Sequence, residues 1–414
     1  MDSPNATIDA IWRIESPKLI AALTRILRDV GRAEELAQDA FVSALSQWPG
    51  EGIPRNPGAW LMTAAKRRAI DQLRRTKKLD DKSVELERAL ERTMPDDYAR
   101  VDAEIDDDLL RLMFIAAHPV LGTEARVALT LRLLGGLTTA EIARAFLLPE
   151  PTIAQRIVRA KRTLQEANVP FELPSVAERA LRLDSVLEAI YLIFNEGYAA
   201  TAGSDVLRLD LVEEALRLGR VLAGLMAAEP EVHGLVALME LQASRMRARV
   251  DAAGDPVLLL DQDRARWNRL LIGRGLDALE RAETSETALG PYALQAAIAA
   301  CHARATEPQL TDWARIAALY DALAQVVPTP VVALNRAVAV GMAYGPQAGL
   351  ELVDALRDEK ALASYHLLPA VRGDLLAKLG RAGEAAAEFK HAAELAGNER
   401  DRKALRNRAA ACGG

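Results

Sequence analysis

The sequence is poor in the features that build β-sheets, disulfide-bonded domains and membrane spans. Only 4% of its 414 residues are aromatic, and Val, Ile and Thr seldom form alternating runs, which argues against an all-β protein. Two cysteines, Cys301 and Cys412, are too few for a disulfide framework and fit a reducing compartment. No uncharged apolar run reaches the length of a transmembrane helix, and the acidic N-terminus lacks the apolar core of a signal peptide. We therefore expect a cytoplasmic protein with no membrane partner.

The spacing patterns of catalytic and cofactor sites are also missing. The five histidines are scattered without the spacing of metal ligands, and no glycine-rich phosphate loop is present. Nothing in the sequence fixes the spacing of the polar residues that would have to form an acid–base site, namely Tyr191, Asn195, Glu196, Tyr198, His233 and His302. We expect no enzymatic activity, no catalytic residue, no metal ion and no cofactor.

The abundant residues predict helices. Half of the sequence is hydrophobic, which is enough for a sizeable core, and Ala, Leu, Arg and Glu recur throughout. These residues favour helices, and the chain is long enough for more than one domain. The composition therefore predicts an all-α fold.

Charge is strongly segregated along the chain, although the net charge is only -6. Residues 64–78 hold seven basic residues and one acid, whereas residues 79–108 hold twelve acids and four bases. A second basic stretch follows at 152–164. Clustered Lys and Arg side chains are the groups that contact phosphates, and an acidic stretch with few apolar residues is typical of a linker. The pattern favours two nucleic-acid-binding modules joined by an acidic tether.

Three helices are predicted in the N-terminal segment. The first carries an apolar stripe from Leu19 to Val30 and is expected to stop at Gly31. The second spans about 33–47 and is expected to break at residues 48–52, which contain Pro and Gly. The third starts near Pro57 and runs through Arg75, with an apolar stripe on one face and basic side chains on another.

A short helix, a tight turn and a basic helix follow one another at residues 138–166. A helix at 123–134 precedes them, with Thr123 as its expected cap and Gly135-Gly136 as its stop. This order is typical of a helix-turn-helix motif. The basic helix is expected to bury one stripe and to present long donors to bases and phosphates on its other face. The stripe consists of Ile153, Ile157, Ala160 and Leu164. A solvated helical hairpin is the alternative for this segment taken alone.

In this order, the segments resemble bacterial RNA polymerase sigma factors of the extracytoplasmic-function type. Residues 32–48 (RAEELAQDAFVSALSQW) are similar to the polymerase-binding helix of sigma region 2. Residues 56–75 (NPGAWLMTAAKRRAIDQLRR) are similar to the helix of that domain that reads and melts the −10 element. Residues 125–164 are similar to region 4, whose helix-turn-helix reads the −35 element. Later stretches, such as LDSVLEAIYLIFNEGYAATAG at 183–203, resemble the long tetratricopeptide-like extension of one subgroup.

The resemblance implies one polymerase surface and two DNA surfaces. Core polymerase would bind the polar side chains of the second helix, which are Glu34, Glu35, Gln38 and Asp39. DNA near the −10 element would be contacted by Trp60, Lys66, Arg67, Arg74, Arg75 and Lys78. Trp60 would lie either near an extruded base or in the core. The −35 element would be contacted by Thr152, Gln155, Arg156, Arg159 and Arg162.

The predicted organisation has four parts: sigma region 2 at 1–78, an acidic linker at 79–105, sigma region 4 at 106–168 and a helical extension at 169–414. The linker would thread polymerase near the RNA exit path or serve only as a soluble tether. Residues 364–396 fit the tetratricopeptide period of about 34 residues, and 329–356 are a looser copy. Stacked helix pairs expose a concave surface, so we expect a protein or peptide ligand there.

The expected function is that of an alternative sigma factor with core RNA polymerase and promoter DNA as partners. The helical extension is expected to modulate its activity. Two alternatives stay open from the residues alone. One is a dimeric helix-turn-helix regulator that reads half-sites about one helical turn apart. The other is a tetratricopeptide scaffold whose basic segments are incidental, which predicts no salt-sensitive DNA binding.

Overall fold

The structure is a computed structural model that describes residues 4–75, 98–146, 148–199, 207–251, 257–285, 288–397 and 399–413. The described residues form α-helices joined by turns and short 3-10 helices, so the prediction of an all-α fold is confirmed. They fall into two compact units. The first contains the residues up to Gly197 and the helix Leu207–Leu225, and the second contains Tyr198 and the residues from Met226 onward. Within the described ranges, no helix is both long and apolar enough to cross a bilayer.

Three helices open the first unit: α1 (Pro4–Leu27), α2 (Val30–Glu51) and α3 (Pro57–Arg75). The predicted stop at Gly31 is wrong, because α1 already ends at Leu27 and Asp29 caps α2 by accepting a hydrogen bond from the Arg32 N–H at 3.0 Å. The predicted break within residues 48–52 agrees with the structure. α2 continues through Pro49 to Glu51 and is capped by Gly52, which has a φ of 88°. The predicted span of α3 agrees with the structure.

Four further helices follow: α4 (Tyr98–Ala116), α5 (Thr123–Leu133), α6 (Thr139–Ala145) and α7 (Glu150–Glu166). Residues 79–97 of the predicted tether lie outside the described residues. Its last part is helical, because α4 begins at Tyr98. Thr123 is the first residue of α5 rather than its cap, which is Gly122. The predicted glycine stop is correct, since α5 ends before Gly135 and Gly136 has a φ of 64°.

Helices α8 (Val176–Ala199) and α9 (Leu207–Leu225) complete the first unit, although both lie in the predicted extension. Arg126 of α5 forms an ion pair with Glu188 of α8 at 2.8 Å. Arg182 of α8 contacts Nε2 of His118, which lies between α4 and α5, at 2.5 Å. The first helices of the extension therefore fold together with the helix-turn-helix segment.

Burial and the neighbouring Arg182 lower the pKa of His118 from its ordinary value of 6.5 to about 4. Between these two values the unfolded chain binds a proton that the folded chain does not, so the free energy of unfolding should fall as the pH drops through this range. Urea unfolding of the full chain between about pH 7 and about pH 5 measures this effect. His118→Gln should weaken the dependence, with a remainder from His302, whose pKa burial also lowers to about 4. The same change at His391, whose side chain is 57% exposed, should leave the dependence intact. An unchanged slope in His118→Gln would contradict the assignment.

The second unit consists of successive helices, most of which pack on their neighbours along the chain. They are α10 (Pro230–Ala243), α11 (Arg269–Glu283), α12 (Pro291–Arg304), α13 (Trp313–Val326), α14 (Pro330–Tyr344), α15 (Pro346–Asp354), α16 (Leu367–Lys378), α17 (Ala382–Leu395) and α18 (Glu399–Gly413). The two sequence repeats correspond to the helix pairs α14–α15 and α16–α17. Phe389 of α17 packs on Gly373 of α16, where a Cβ would lie 2.9 Å from its ring.

Gly234 marks the closest approach of α10 and α12. A Cβ on this residue would lie 2.6 Å from the backbone nitrogen of Ala293 and 2.8 Å from its Cα. Gly234→Ala should therefore lower the free energy of unfolding by about 1–2 kcal/mol, because the backbone clash outweighs the gain in helix propensity. Gly273→Ala on α11 has open space around its Cβ and should raise that free energy by up to about 1 kcal/mol. Opposite signs in urea unfolding of the two variants are expected, and equal effects would refute the close packing.

Candidate functional site

Helices α6 and α7 form a helix-turn-helix whose sequence accounts for both helices. Thr138 caps α6 by accepting a hydrogen bond from the Glu141 N–H at 3.1 Å, and the Glu141 carboxylate accepts from the Thr138 N–H at 2.7 Å. Ala143 is buried, which lets α7 approach closely. The predicted inward stripe of α7 is correct, because its four residues are all buried: Ile153, Ile157, Ala160 and Leu164.

The outer face of α7 carries the residues predicted to contact the −35 element. Thr152, Gln155, Arg159 and Arg162 are exposed, and Arg162 pairs with Glu166 at 2.6 Å. Arg156 is more enclosed, since it pairs with Glu124 of α5 at 2.5 Å and only 21% of its side chain is exposed. A groove of about 360 Å³ runs beside this face and is lined by Gly122, Glu124, Thr152, Gln155, Arg156 and Arg159. The structure therefore brings four of the five predicted residues to one polar groove.

Helix α3 places its predicted DNA-binding residues in different surroundings. Trp60 is half-buried and packs edge-on against Trp48 at 5.3 Å between ring centroids, which favours the core alternative. Lys66 is half-buried, and burial together with Arg25 lowers its pKa. Arg67 is exposed. The side chains of Arg74 and Arg75, and the whole of Lys78, lie outside the described residues.

The polymerase-binding residues predicted on α2 are not all on one open face. Glu35 is exposed, and Gln38 and Asp39 are half-buried. Asp39 pairs with Arg68 of α3 at 3.3 Å. These three residues are called the acidic face of α2 below. The expectation that Glu34 lies beside them in solvent is wrong, because only 3% of its side chain is exposed.

Glu34 is buried against the helix-turn-helix segment. Its carboxylate accepts a hydrogen bond from Nε of Arg132 on α5 at 2.6 Å and forms an ion pair with Lys161 of α7. Arg132 also donates to the Leu137 carbonyl at 2.9 Å. A carboxylate buried between two cations is stable only with such partners. Sequence periodicity gave no signal for Arg132, since its partner lies on a helix almost one hundred residues away.

Asp108 makes a comparable buried contact. Its carboxylate accepts hydrogen bonds from Arg25 of α1 at 2.8 Å and from Arg111 at 2.7 Å. Burial raises the pKa of Asp108, although both arginines oppose that shift. Asp108 had been counted among the acids near the tether, but it serves to join α4 to α1. Among the described residues, no group of His, Cys, Asp or Glu side chains is arranged to hold a metal ion.

These features define the class of protein. A helix-turn-helix with a polar, basic recognition face follows a three-helix domain with an acidic face and a basic helix, and such a motif is typical of a DNA-binding protein. Three family descriptions match the chain. Residues 11–79 match Sigma-70 region 2, residues 111–164 match Sigma-70, region 4, and residues 182–283 match a family of unknown function, DUF6596. The chain belongs to the extracytoplasmic-function (ECF) sigma factors and carries a C-terminal extension.

Similar proteins cover different shares of the chain. An uncharacterized protein of Rhizobium meliloti (strain 1021) is 44% identical over 394 residues, which is 92% of this chain and 90% of the relative. The probable ECF RNA polymerase sigma factor SigI of Mycobacterium tuberculosis (strain ATCC 25618 / H37Rv) is 24% identical over 43% of this chain and 61% of its own length. The ECF RNA polymerase sigma factor SigK of Mycobacterium sp. (strain KMS) is 39% identical over 16% of this chain and 34% of its own. No solved structure matches the chain.

Proposed function

We propose that this sigma factor binds core RNA polymerase through the acidic face of α2 and reads promoter DNA with α3 and α7, while its helical extension modulates that activity. The observation that carries the proposal is the polar groove beside α7. It collects Thr152, Gln155, Arg156 and Arg159 on one accessible face, whereas the other face of α7 is buried.

The proposed roles follow from exposure and charge. Glu35 and Asp39 are carboxylates on the outside of α2 and would pair with basic helices of the largest polymerase subunit, a partner that the sigma resemblance implies. Arg67 is an exposed cation on α3 and would grip a phosphate near the −10 element. On α7, Gln155 and Arg159 would reach base edges, because Arg and Gln are suited to bidentate contacts with guanine and adenine. Arg162 would contact phosphate.

The extension is proposed to act on the sigma domains through its first two helices. α8 and α9 belong to the same compact unit as α1–α7 and contact them through Arg182, Glu188 and Arg217. The helix pairs of the second unit would take a protein or peptide ligand, since stacked pairs of this kind expose a concave face.

The experiment is co-elution of the full-length chain with bacterial core RNA polymerase. The variant Glu35→Arg/Asp39→Arg should lose co-elution, because two carboxylates that face the basic subunit become like charges. Glu51→Arg is the matched control, since Glu51 is an exposed carboxylate at the far end of the same helix and points to the opposite side. Loss of binding in the control as well would show a general charge effect. Failure of the wild-type chain to bind, together with a stable dimer, would favour the dimeric regulator instead.

A further inference from the structure

The helix-turn-helix segment is seated on the helices that carry the polymerase-binding residues. Besides the buried contact of Glu34 with Arg132 and Lys161, Arg13 of α1 pairs with Glu141 of α6 at 3.0 Å. All of these cations and carboxylates lie within one compact unit. The two basic groups that cover Glu34 come from α5 and α7, so the recognition helix itself contributes one of them.

A tight turn after α5 forms a further contact between the helix-turn-helix segment and α1. Leu134, Gly135 and Gly136 form the 134–136 turn after α5, and Gly136 approaches α1 closely. A Cβ on Gly136 would lie 3.0 Å from the Ser16 hydroxyl and 3.3 Å from the Cα of Arg13. A side chain at this position would therefore push the helix-turn-helix away from α1.

Helix α9 of the extension contacts the same turn at Leu134 and Gly135. Nη2 of Arg217 donates a hydrogen bond to the Leu134 carbonyl at 2.5 Å. Glu214 fixes Arg217 through an ion pair at 2.6 Å, and its Oε1 lies 3.3 Å from the place of a Cβ on Gly135. The 134–136 turn therefore contacts α1 through Gly136 and α9 through Leu134 and Gly135.

We infer that α9 is an intramolecular latch that keeps region 4 seated on α1 and α2, so that core polymerase must displace this chain's own region 4 to gain full access to α2. The inference rests on the proposed function, because it takes α2 as the polymerase-binding helix. The partner that covers Glu34 is thus a basic surface of the same chain, formed by Arg132 and Lys161.

Because the contact of Glu34 with Arg132 and Lys161 is ionic, the packing of region 4 on α2 is reversible. Opening it returns one carboxylate and two cations to water, and their regained hydration offsets much of the lost attraction. A competing basic surface can then take the place of Arg132 and Lys161. The Arg217 hydrogen bond ends on a backbone carbonyl, and its loss also deprives the Glu214 carboxylate, 13% exposed beside the turn, of the Arg217 guanidinium, which further favours opening of the turn.

The test measures conformation and polymerase binding in the same full-length variants. Spin labels at Val42→Cys and Val158→Cys, which are 59% and 64% exposed, report the separation of α2 and α7 in a Cys412→Ser background. Cys301 is buried and stays unlabelled. Arg217→Gln and Arg132→Gln should both lengthen the distance and tighten binding of core polymerase about tenfold, as measured with chain that carries no labels. Glu213→Gln, an exposed site on α9, should do neither.

The possible results separate three claims: the latch, the masking of α2 and the proposed function. An unchanged distance in Arg217→Gln would overturn the latch, whatever the distance in Arg132→Gln. Longer distances with unchanged polymerase affinity would overturn the masking of α2 and leave the proposed function standing. Failure of every variant and of the wild type to bind polymerase would refute the proposed function, while the distances would still decide whether α9 holds region 4. Circular dichroism melting of each variant verifies that it is folded.

Discussion

The variant Arg156→Ala/Arg159→Ala is expected to lose about 100-fold or more in affinity for −35 DNA when it is bound to core polymerase. Both side chains line the groove beside α7, and a good bidentate contact with a base is worth about 1–3 kcal/mol. If one of the two arginines contacts a phosphate instead, the slope of the logarithm of the binding constant against the logarithm of the salt concentration should decrease in magnitude by about one. The double variant therefore also separates base readout from phosphate contact.

The measurement is fluorescence anisotropy at several salt concentrations with a labelled duplex that the wild-type holoenzyme selects from a randomised library. Arg179→Ala is the matched control, because Arg179 is an exposed arginine on α8 away from the groove. Wild-type affinity in the double variant would refute the assignment of α7 as the recognition helix. Equal losses in the control would indicate a nonspecific effect of net charge.

A substitution of Glu124 should change the affinity for DNA in the opposite direction. Its side chain is 76% exposed and pairs with Arg156, so it competes with DNA for the same guanidinium. An exposed ion pair of this kind is worth about 0.2–1 kcal/mol. Glu124→Gln should therefore strengthen DNA binding by a few-fold, whereas a direct contact of Glu124 with a cytosine amino group would make the same change weaken it.

The parts that the sequence could predict are those that local chemistry decides. The span of α3 follows from Pro57 at its start, and the buried stripe of α7 follows from the period of Ile153, Ile157, Ala160 and Leu164. The start of α2 was missed because a glycine stop at Gly31 and an aspartate cap at Asp29 compete within three residues. The cap prevailed, since its carboxylate satisfies a free N–H of the first turn.

The parts that could not be predicted depend on contacts between distant segments. A helical period shows that Glu34 lies apart from the apolar stripe of α2, but it cannot show that Arg132 and Lys161 will cover it. In the same way, the resemblance sets the boundary between the sigma domains and the extension at residue 169, but it does not show that α8 and α9 pack in the first compact unit. Their contacts depend on single arginines such as Arg217, which finds a carbonyl that no sequence pattern marks.

Arg264 in the second unit is a further residue of this kind. It lies in a 3-10 turn before α11 and is only 6% exposed. Its guanidinium donates hydrogen bonds to the carbonyls of His302 and Ala305 and to the Thr311 hydroxyl, and it packs 5.0 Å from the centre of the Trp267 ring. Burial lowers the pKa of Arg264, and Arg245 adds to the shift. One side chain thus ties the loop before α11 to the end of α12 and the segment that follows.

Arg264→Ala is expected to lower the free energy of unfolding of the second unit by about 3–5 kcal/mol, because one buried and one partly buried carbonyl lose their donor and each unsatisfied group costs about 1–3 kcal/mol. For a unit of this size the melting temperature should fall by about 10 °C. Arg264→Lys should lose most of the same stability, since an ammonium group cannot reproduce the planar fork whose Nη1 donates to both carbonyls while its Nη2 donates to the Thr311 hydroxyl. Arg266→Ala is the control in the same turn, because Arg266 is exposed and its change should stay within about 0.5 kcal/mol. Calorimetry of the full chain and hydrogen exchange of residues 291–304 measure both effects. A lysine variant as stable as the wild type would show that charge alone, rather than the fork, holds these segments together.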